Sequence, residues 1–235
     1  MDNFNNPLIE AKNLEKTYFR KNSTTVKALR GLNFEVFQGE FLTIIGRSGS
    51  GKTTLLNLLG ALDRPTNGKI LFEGRNLSNF SNRNLAILRR EKIGFIFQTF
   101  NLLPSLTVVE NVESALVHSR MSKEQIHCKV MSLLDDLVLS EISNRLPLEL
   151  SVGQQQKVAI ARAIVKDPAL ILADEPTGEM DPITGREILE KLIELNRTSK
   201  ITLIVASHGI SAQSVADRTL FVKDGMFVSQ REAGY

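Results

Sequence analysis

Phe41-Leu42-Thr43-Ile44-Ile45-Gly46-Arg47-Ser48-Gly49-Ser50-Gly51-Lys52-Thr53 is the stretch that decides the fold. Its first five residues form an uncharged, largely apolar run, the pattern of a strand buried on both faces of a sheet. The next eight match G-x-x-x-x-G-K-[ST]. Three glycines let the backbone curl closely round an anion without Cβ clashes. Successive N–H groups, and the N-terminus of a helix starting at about Lys52, then point at phosphate oxygens. Lys52 reaches the β- and γ-phosphates of a nucleotide, and the Thr53 hydroxyl ligates Mg²⁺. A Gly/Ser-rich surface turn can match this pattern by accident. The buried strand before the loop, and the helix after it with Leu55, Leu56, Leu58 and Leu59 on its inner side, argue against accident. The candidate phosphate-binding set is Gly46, Arg47, Ser48, Gly49, Ser50, Gly51, Lys52, Thr53 and Thr54.

Such a loop alone serves kinases, GTPases and many ATPases. Leu170-Ile171-Leu172-Ala173-Asp174-Glu175 narrows the choice. An apolar strand ending in an acid delivers the Asp174 carboxylate to the metal. The adjacent Glu175 is placed as a general base for the attacking water. Strand-end carboxylates are also ordinary solvated loop residues, so this pair carries weight only beside the loop at Gly46.

Further strands are expected at Leu8 to Tyr18, Ala28 to Phe37, Lys69 to Phe72, Ile93 to Phe97, Ile201 to Ser207 and Thr219 to Lys223. Polar residues Arg20 to Thr25 read as a hairpin turn, Gln38-Gly39-Glu40 and Pro65-Thr66-Asn67-Gly68 as further turns. Pro182 to Asn196 has the periodicity of an amphipathic helix, and the stretch from Val108 to Lys166 is mostly helical in pattern. Within it Ser122 and Gln125 form a capping-box pair. Alternating strands and helices predict a parallel sheet flanked by helices, with the helical block as an insertion.

The chain has 235 residues, 42% hydrophobic and 23% charged, which suits one large α/β domain. Its net charge of +3 is too small and too dispersed to argue for a nucleic-acid partner. The single cysteine, Cys128, reads as a small packing residue and suits a reduced compartment. No run reaches the roughly 18 apolar residues of a membrane helix. The polar first residues lack a signal-peptide layout, and neither end carries a lipidation motif. Membrane association is therefore expected through a partner.

Leu150-Ser151-Val152-Gly153-Gln154-Gln155-Gln156-Lys157-Val158-Ala159-Ile160-Ala161-Arg162-Ala163 resembles the ABC ATPase signature, written L-S-G-G-Q, with Val152 in place of the first glycine. A serine hydroxyl, a glycine N–H and a helix N-terminus make a second anion site; Ser151 also suits a plain N-cap. The resemblance implies a head-to-tail dimer with two ATP molecules sandwiched between subunits, Ser151, Gly153 and Gln154 serving the opposite copy's γ-phosphate. It implies adenine stacking for Tyr18, a Mg²⁺ contact near the membrane partner for Gln98, a dimer-contact loop at Glu179-Met180-Asp181, and a γ-phosphate contact for His208. Glu179 stands where most members carry a small or neutral residue. His118 and His127 match nothing and read as solvated helix residues.

The fold implied is α/β: a P-loop NTPase (RecA-like) parallel-sheet core with an N-terminal antiparallel β subdomain and an inserted α-helical subdomain. The whole chain, 1–235, forms a single domain, with core and β subdomain at about 7–97 and 167–229 and the helical part at about 98–166. Phe97-Gln98-Thr99-Phe100-Asn101-Leu102-Leu103-Pro104-Ser105-Leu106-Thr107-Val108-Val109-Glu110-Asn111-Val112 is most similar to the lipoprotein-release and macrolide-export group. Membership implies an ATP- and Mg²⁺-dependent subunit on the cytoplasmic side of the membrane, dimeric with itself or a related subunit. It would be tied to a transmembrane subunit that exports or extracts a hydrophobic substrate. The alternatives are an amino-acid importer subunit or a soluble ABC ATPase acting on DNA or ribosomes. The latter carry coiled-coil insertions or two ATPase halves in one chain, and neither is found here. A module that holds ATP without hydrolysing it is disfavoured by Asp174, Glu175 and His208.

Overall fold

The computed structural model describes residues 6–19, 25–178, 180–209 and 212–235. Of the turn expected at Arg20 to Thr25, residues 20–24 lie outside the described residues, as does Glu179, while Thr25 already belongs to a strand. Along the chain come β1 (Ile9–Phe19), β2 (Thr25–Val36), β3 (Phe41–Ile45), α1 (Lys52–Leu59), β4 (Asn67–Phe72), β5 (Arg75–Asn76), α2 (Asn82–Lys92) and β6 (Ile93–Ile96). There follow α3 (Val108–Glu113), α4 (Lys123–Asp136), α5 (Val152–Ile164), β7 (Leu170–Asp174), α6 (Pro182–Ser199), β8 (Thr202–Ser207), β9 (Arg218–Lys223), β10 (Met226–Val228) and α7 (Gln230–Ala233).

Two sheets result. One is antiparallel, in the order β2-β1-β4-β5; the other runs β10-β9-β3-β8-β7-β6. In the second, β9, β3, β8, β7 and β6 are parallel and only β10 runs against its neighbour. All five residues of β3 are buried, as its uncharged run predicts. Its faces separate cleanly with a period of two. Leu42, Ile44, Leu170, Leu172, Ile204 and Ala206 pack with α1 and the antiparallel sheet. Phe41, Ile171, Ala173, Leu203 and Val205 pack on the other side with Ile160, Ile164, Ile188 and Leu192 of α5 and α6. Thr43, the polar residue in β3, is satisfied by Thr219, hydroxyl to hydroxyl, at 2.8 Å.

The helical insertion has its own core: Val108 and Val112 of α3, Val130 and Leu134 of α4, and Val158, Ala161 and Val165 on or beside α5. Each such side chain contributes about 1.5–3 kcal/mol when removed from water. Helix α5 thus belongs to two cores at once and ties insertion to sheet. Capping boxes start α3 (Thr107, Glu110), α4 (Ser122, Gln125) and α5 (Ser151, Gln154), pairing N–H groups that a helix leaves without partners.

Three expectations need correction. Cys128 is exposed, not packed; Ile126, Val130 and Leu134 set the inner side of α4, and position 128 falls on the opposite side. His118 is exposed in a turn beyond α3 rather than in a helix. The strand expected at Lys69 begins at Asn67, because the Pro65–Gly68 turn already pairs with Glu15 of β1.

Candidate active site

Strand β3 delivers the chain to Gly46, and α1 leaves at Lys52. The backbone between them is held close on all sides. A Cβ on Gly46 would lie 2.3 Å from the Val222 carbonyl oxygen and 2.5 Å from Ser50 Oγ. Gly51 adopts φ 111°, and a Cβ there would lie 2.6 Å from the Ala28 carbonyl oxygen. Only glycine fits both the close approach and the left-handed backbone. The loop curls round the ammonium of Lys52, a residue only 6% exposed. That ammonium donates to the Gly46 carbonyl at 2.6 Å and lies 3.4 Å from Glu175 Oε1.

Strand β7 ends at Asp174 alongside Ala206 of β8. One residue on, Glu175 takes a left-handed φ of 48° and donates its N–H to the Ala206 carbonyl. This bend turns its carboxylate towards the loop. Glu175 Oε2 lies 2.8 Å from His208 Nδ1 and accepts the His208 N–H at 3.2 Å. His208 is placed there by β8, which ends one residue earlier. Parallel pairing of β3, β8 and β7 therefore sets Gly46, His208 and Asp174-Glu175 at the same end of the sheet, where α/β folds put their ligands.

Glu175 and His208 line a cleft of about 500 Å³ together with Tyr18, Ser48 to Thr54 and Gln98, whereas Gly46, Arg47 and Asp174 lie behind its lining. Tyr18 donates its hydroxyl to Asp63 at 3.0 Å and has the Lys16 ammonium 4.9 Å from its ring centre. Burial pushes the Asp174 carboxyl above its ordinary value, with the Glu175 charge adding to this and hydrogen bonding from Thr53 opposing it. Asp174 Oδ1 and Ser50 Oγ are buried with no hydrogen-bond partner among the described residues. An unpartnered carboxylate oxygen beside a threonine hydroxyl is a hard-oxygen donor pair suited to Mg²⁺ completed by phosphate and water. The cradle of backbone N–H groups with Lys52 suits a polyphosphate. Both expected groups therefore fit the residues present.

The signature residues are elsewhere. Ser151 caps α5 with its hydroxyl accepting the Gln154 N–H at 3.3 Å, and the Ser151 N–H in turn donates to Gln154 Oε1 at 2.9 Å. None of Ser151, Gly153 and Gln154 lines the cleft of their own chain. A Cβ on Gly153 would lie 2.6 Å from Thr184 Cγ2, so the tip of α5 abuts the start of α6. There Asp181 accepts the N–H groups of Ile183 and Thr184, and hydrogen bonding from the Thr184 side chain, with these N–H groups adding to it, holds its carboxyl below the usual range.

Sequence reasoning missed several residues at the cleft. Asp224-Gly225 is a turn between β9 and β10; Gly225 donates to the Ser50 carbonyl at 3.0 Å and accepts from the Arg30 N–H at 2.9 Å, bracing the loop. An Asp-Gly pair between apolar stretches is a hairpin signal and was available. Val26 and Ala28 of β2 also line the cleft and carry no chemical signature. Tyr235, whose hydroxyl meets the His208 carbonyl at 2.7 Å, belongs to no motif.

A family model described as ABC transporter matches residues 29–178, more than half of the chain. An uncharacterized ABC transporter ATP-binding protein of Thermotoga maritima is 48% identical over 200 residues, 85% of each chain. The lipoprotein-releasing system ATP-binding protein LolD of Syntrophus aciditrophicus is 42% identical, covering 94% of this chain and 99% of that one. Among solved structures, a dimeric structure of the cassette MJ0796 of Methanocaldococcus jannaschii superposes with a TM-score of 0.88 at 40% identity, over 94% of this chain and 97% of that one. A second structure of that cassette, described as a dimeric post-hydrolysis state bound to ADP and Pi, gives 0.87 at 39% identity over the same shares of the two chains. The loop geometry, the paired carboxylates and these likenesses converge: the chain belongs to the ABC transporter family, as an ATP-hydrolysing, ATP-binding subunit.

Proposed function

We propose that two copies of this chain, or one copy and a related subunit, close over two ATP molecules and thereby drive a separate transmembrane subunit. In this reading Tyr18 stacks on adenine, while the Gly46 to Thr54 loop and Lys52 grip the phosphates. Thr53 and Asp174, with Gln98 beside them, hold Mg²⁺, which neutralises charge developing on the transferred phosphoryl group. Glu175 takes the proton of the attacking water. His208 orients Glu175 and contacts the γ-phosphate. Ser151, Gly153 and Gln154 complete the site of the opposite copy. The supporting observation is the convergence of Lys52 and His208 on the two oxygens of Glu175 at 3.4 and 2.8 Å.

The partner is a membrane protein, and the site of action is the cytoplasmic face. Among the described residues no helix is long and apolar enough to cross a membrane. Likeness to LolD supports export or membrane extraction of a hydrophobic substrate such as a lipoprotein. Beyond Gln98, Leu103 is exposed and open to a partner, whereas Leu102 packs on the helical core. The test is Glu175→Gln: phosphate release should fall at least about 100-fold, with Mg-ATP binding retained and an ATP-dependent dimer accumulating on gel filtration. Near-normal hydrolysis would remove Glu175 from this role.

A further inference from the structure

We propose that Tyr235 is a positioning residue for His208, an inference that rests on the reading of His208 as a γ-phosphate contact. The His208 backbone is held on both sides of its Cα. Its N–H donates to Glu175 Oε2 at 3.2 Å, and its carbonyl oxygen accepts the Tyr235 hydroxyl at 2.7 Å. With the peptide planes on both sides of its Cα anchored, His208 cannot change φ and ψ freely, so the imidazole stays aimed at Glu175.

Tyr235 is itself fixed to the strand that feeds the phosphate loop. Ala233 is buried in a small cluster with Ile45, the residue before Gly46, and with Phe221 of β9. The Tyr235 ring packs on Phe221 with centroids 6.1 Å apart. Gly234 turns the chain at φ 85°, where a Cβ would lie 3.1 Å from Arg47 Nη2. Ser229 and Glu232 cap the short helix, and Lys223 donates to the Glu232 carbonyl at 2.9 Å. Segment 229–235 thus leans on β3, on Arg47 of the loop and on His208 together. Through it, the imidazole is registered against the loop by a path independent of the β3–β8 pairing.

The test is Tyr235→Phe in the purified full chain, which removes one hydroxyl and keeps the ring. Loss of one hydrogen bond should lower kcat for ATP hydrolysis about three- to tenfold, with KM for ATP and the thermal midpoint unchanged. In a His208→Ala background the same change should have no further effect. A second readout is the imidazole NMR spectrum, which is simple because the chain has 3 histidines. The His208 signals should shift or broaden in Tyr235→Phe while those of His118 and His127 stay put. An unchanged kcat, an equal fall in both backgrounds, or an unmoved His208 signal overturns the proposal. If His208→Ala alone hydrolyses at the full rate, the reading of His208 itself fails. Impaired His208→Ala with normal Tyr235→Phe would sink only the positioning role.

Discussion

Lys52 Nζ stands 3.4 Å from Glu175 Oε1 while the other oxygen of that carboxylate meets His208. The ammonium is buried, and it also donates to the Gly46 carbonyl. One cation thus closes the phosphate loop on itself and faces the carboxylate proposed as base. Lys52→Ala should weaken ATP binding by about ten- to 100-fold, the range for losing a charge-assisted hydrogen bond. Titration with a fluorescent ATP analogue checks this. Equal affinity in the variant would remove Lys52 from the phosphate site.

The glycines of the loop differ in what they tolerate. Gly51→Ala would drive a methyl to 2.6 Å from the Ala28 carbonyl oxygen, at a φ of 111°. Backbone oxygen cannot step aside as a flexible side chain can, so β2 must move. Gly49 has φ 78° but open space where its Cβ would go. Gly49→Ala should cost only about 1–2 kcal/mol, the left-handed penalty for an L-residue. Gly51→Ala should cost more and also displace the loop. Urea denaturation of both variants, with ATP binding measured alongside, gives the order; a reversed order would refute the packing argument.

Arg162, in the last turn of α5, donates to the Phe100 carbonyl at 2.7 Å and the Asn101 carbonyl at 2.6 Å. Those two residues have φ of 58° and 50° in succession, a costly arrangement for side chains larger than glycine. A planar fork can hold both carbonyls; a lysine offers one compact ammonium. Arg162→Lys should therefore loosen residues 99–106 while leaving α5 folded. Amide exchange of that segment should quicken, by a factor matching about 1–3 kcal/mol of lost protection. Unchanged exchange there would mean that Asn111, which binds the Leu103, Leu106 and Thr107 carbonyls, holds the loop alone.

Much of this was legible in the sequence because its signals were local and periodic. The uncharged run at β3, the loop at Gly46 and the strand ending at Asp174 each carry their meaning within a few residues, and the strands pair as those patterns require. Helix α2 was not foreseen, because among its eleven residues only Leu85 is buried and seven are polar or charged. Its sign was the serine cap at Ser81 and the basic last turn of Arg89, Arg90 and Lys92. The tie between Tyr235 and His208 spans 27 residues and uses a backbone carbonyl, which no side-chain pattern records. The same holds for the hold of Gly225 on Ser50. Contacts made by backbone atoms across folded distance are invisible to motif reading.

Lys166 gives a pH dependence that is independent of the site. Burial lowers its ammonium from 10.5 to about 8, while its Nζ donates to the Arg89 carbonyl at 2.8 Å. Between those pH values the unfolded chain holds the proton more often than the folded one. Stability attributable to this lysine therefore rises as pH climbs from about 8 to 10.5 and is flat below. Lys166→Met removes that term. The thermal midpoint of the parent relative to Lys166→Met should increase between pH 8 and 10. A constant difference across that range would place the ammonium in contact with water.

The proposed sharing of the site between copies is motivated by where Ser151 does and does not reach. Its helix tip is absent from the lining of its own chain's cleft, and it abuts the start of α6 at Thr184. A serine-capped helix N-terminus attracts an anion, and in a two-fold dimer whatever one copy offers, the other receives. Protein carrying Ser151→Ala and protein carrying Lys52→Ala should each hydrolyse little ATP alone. Mixed in equal amounts, half of the random dimers hold one intact composite site. If sites act independently, about a quarter of parental activity should return. Each site then takes Lys52 from one copy and Ser151 from the other. Were both residues needed within one copy, mixing would restore nothing, since no polypeptide in the mixture carries the two.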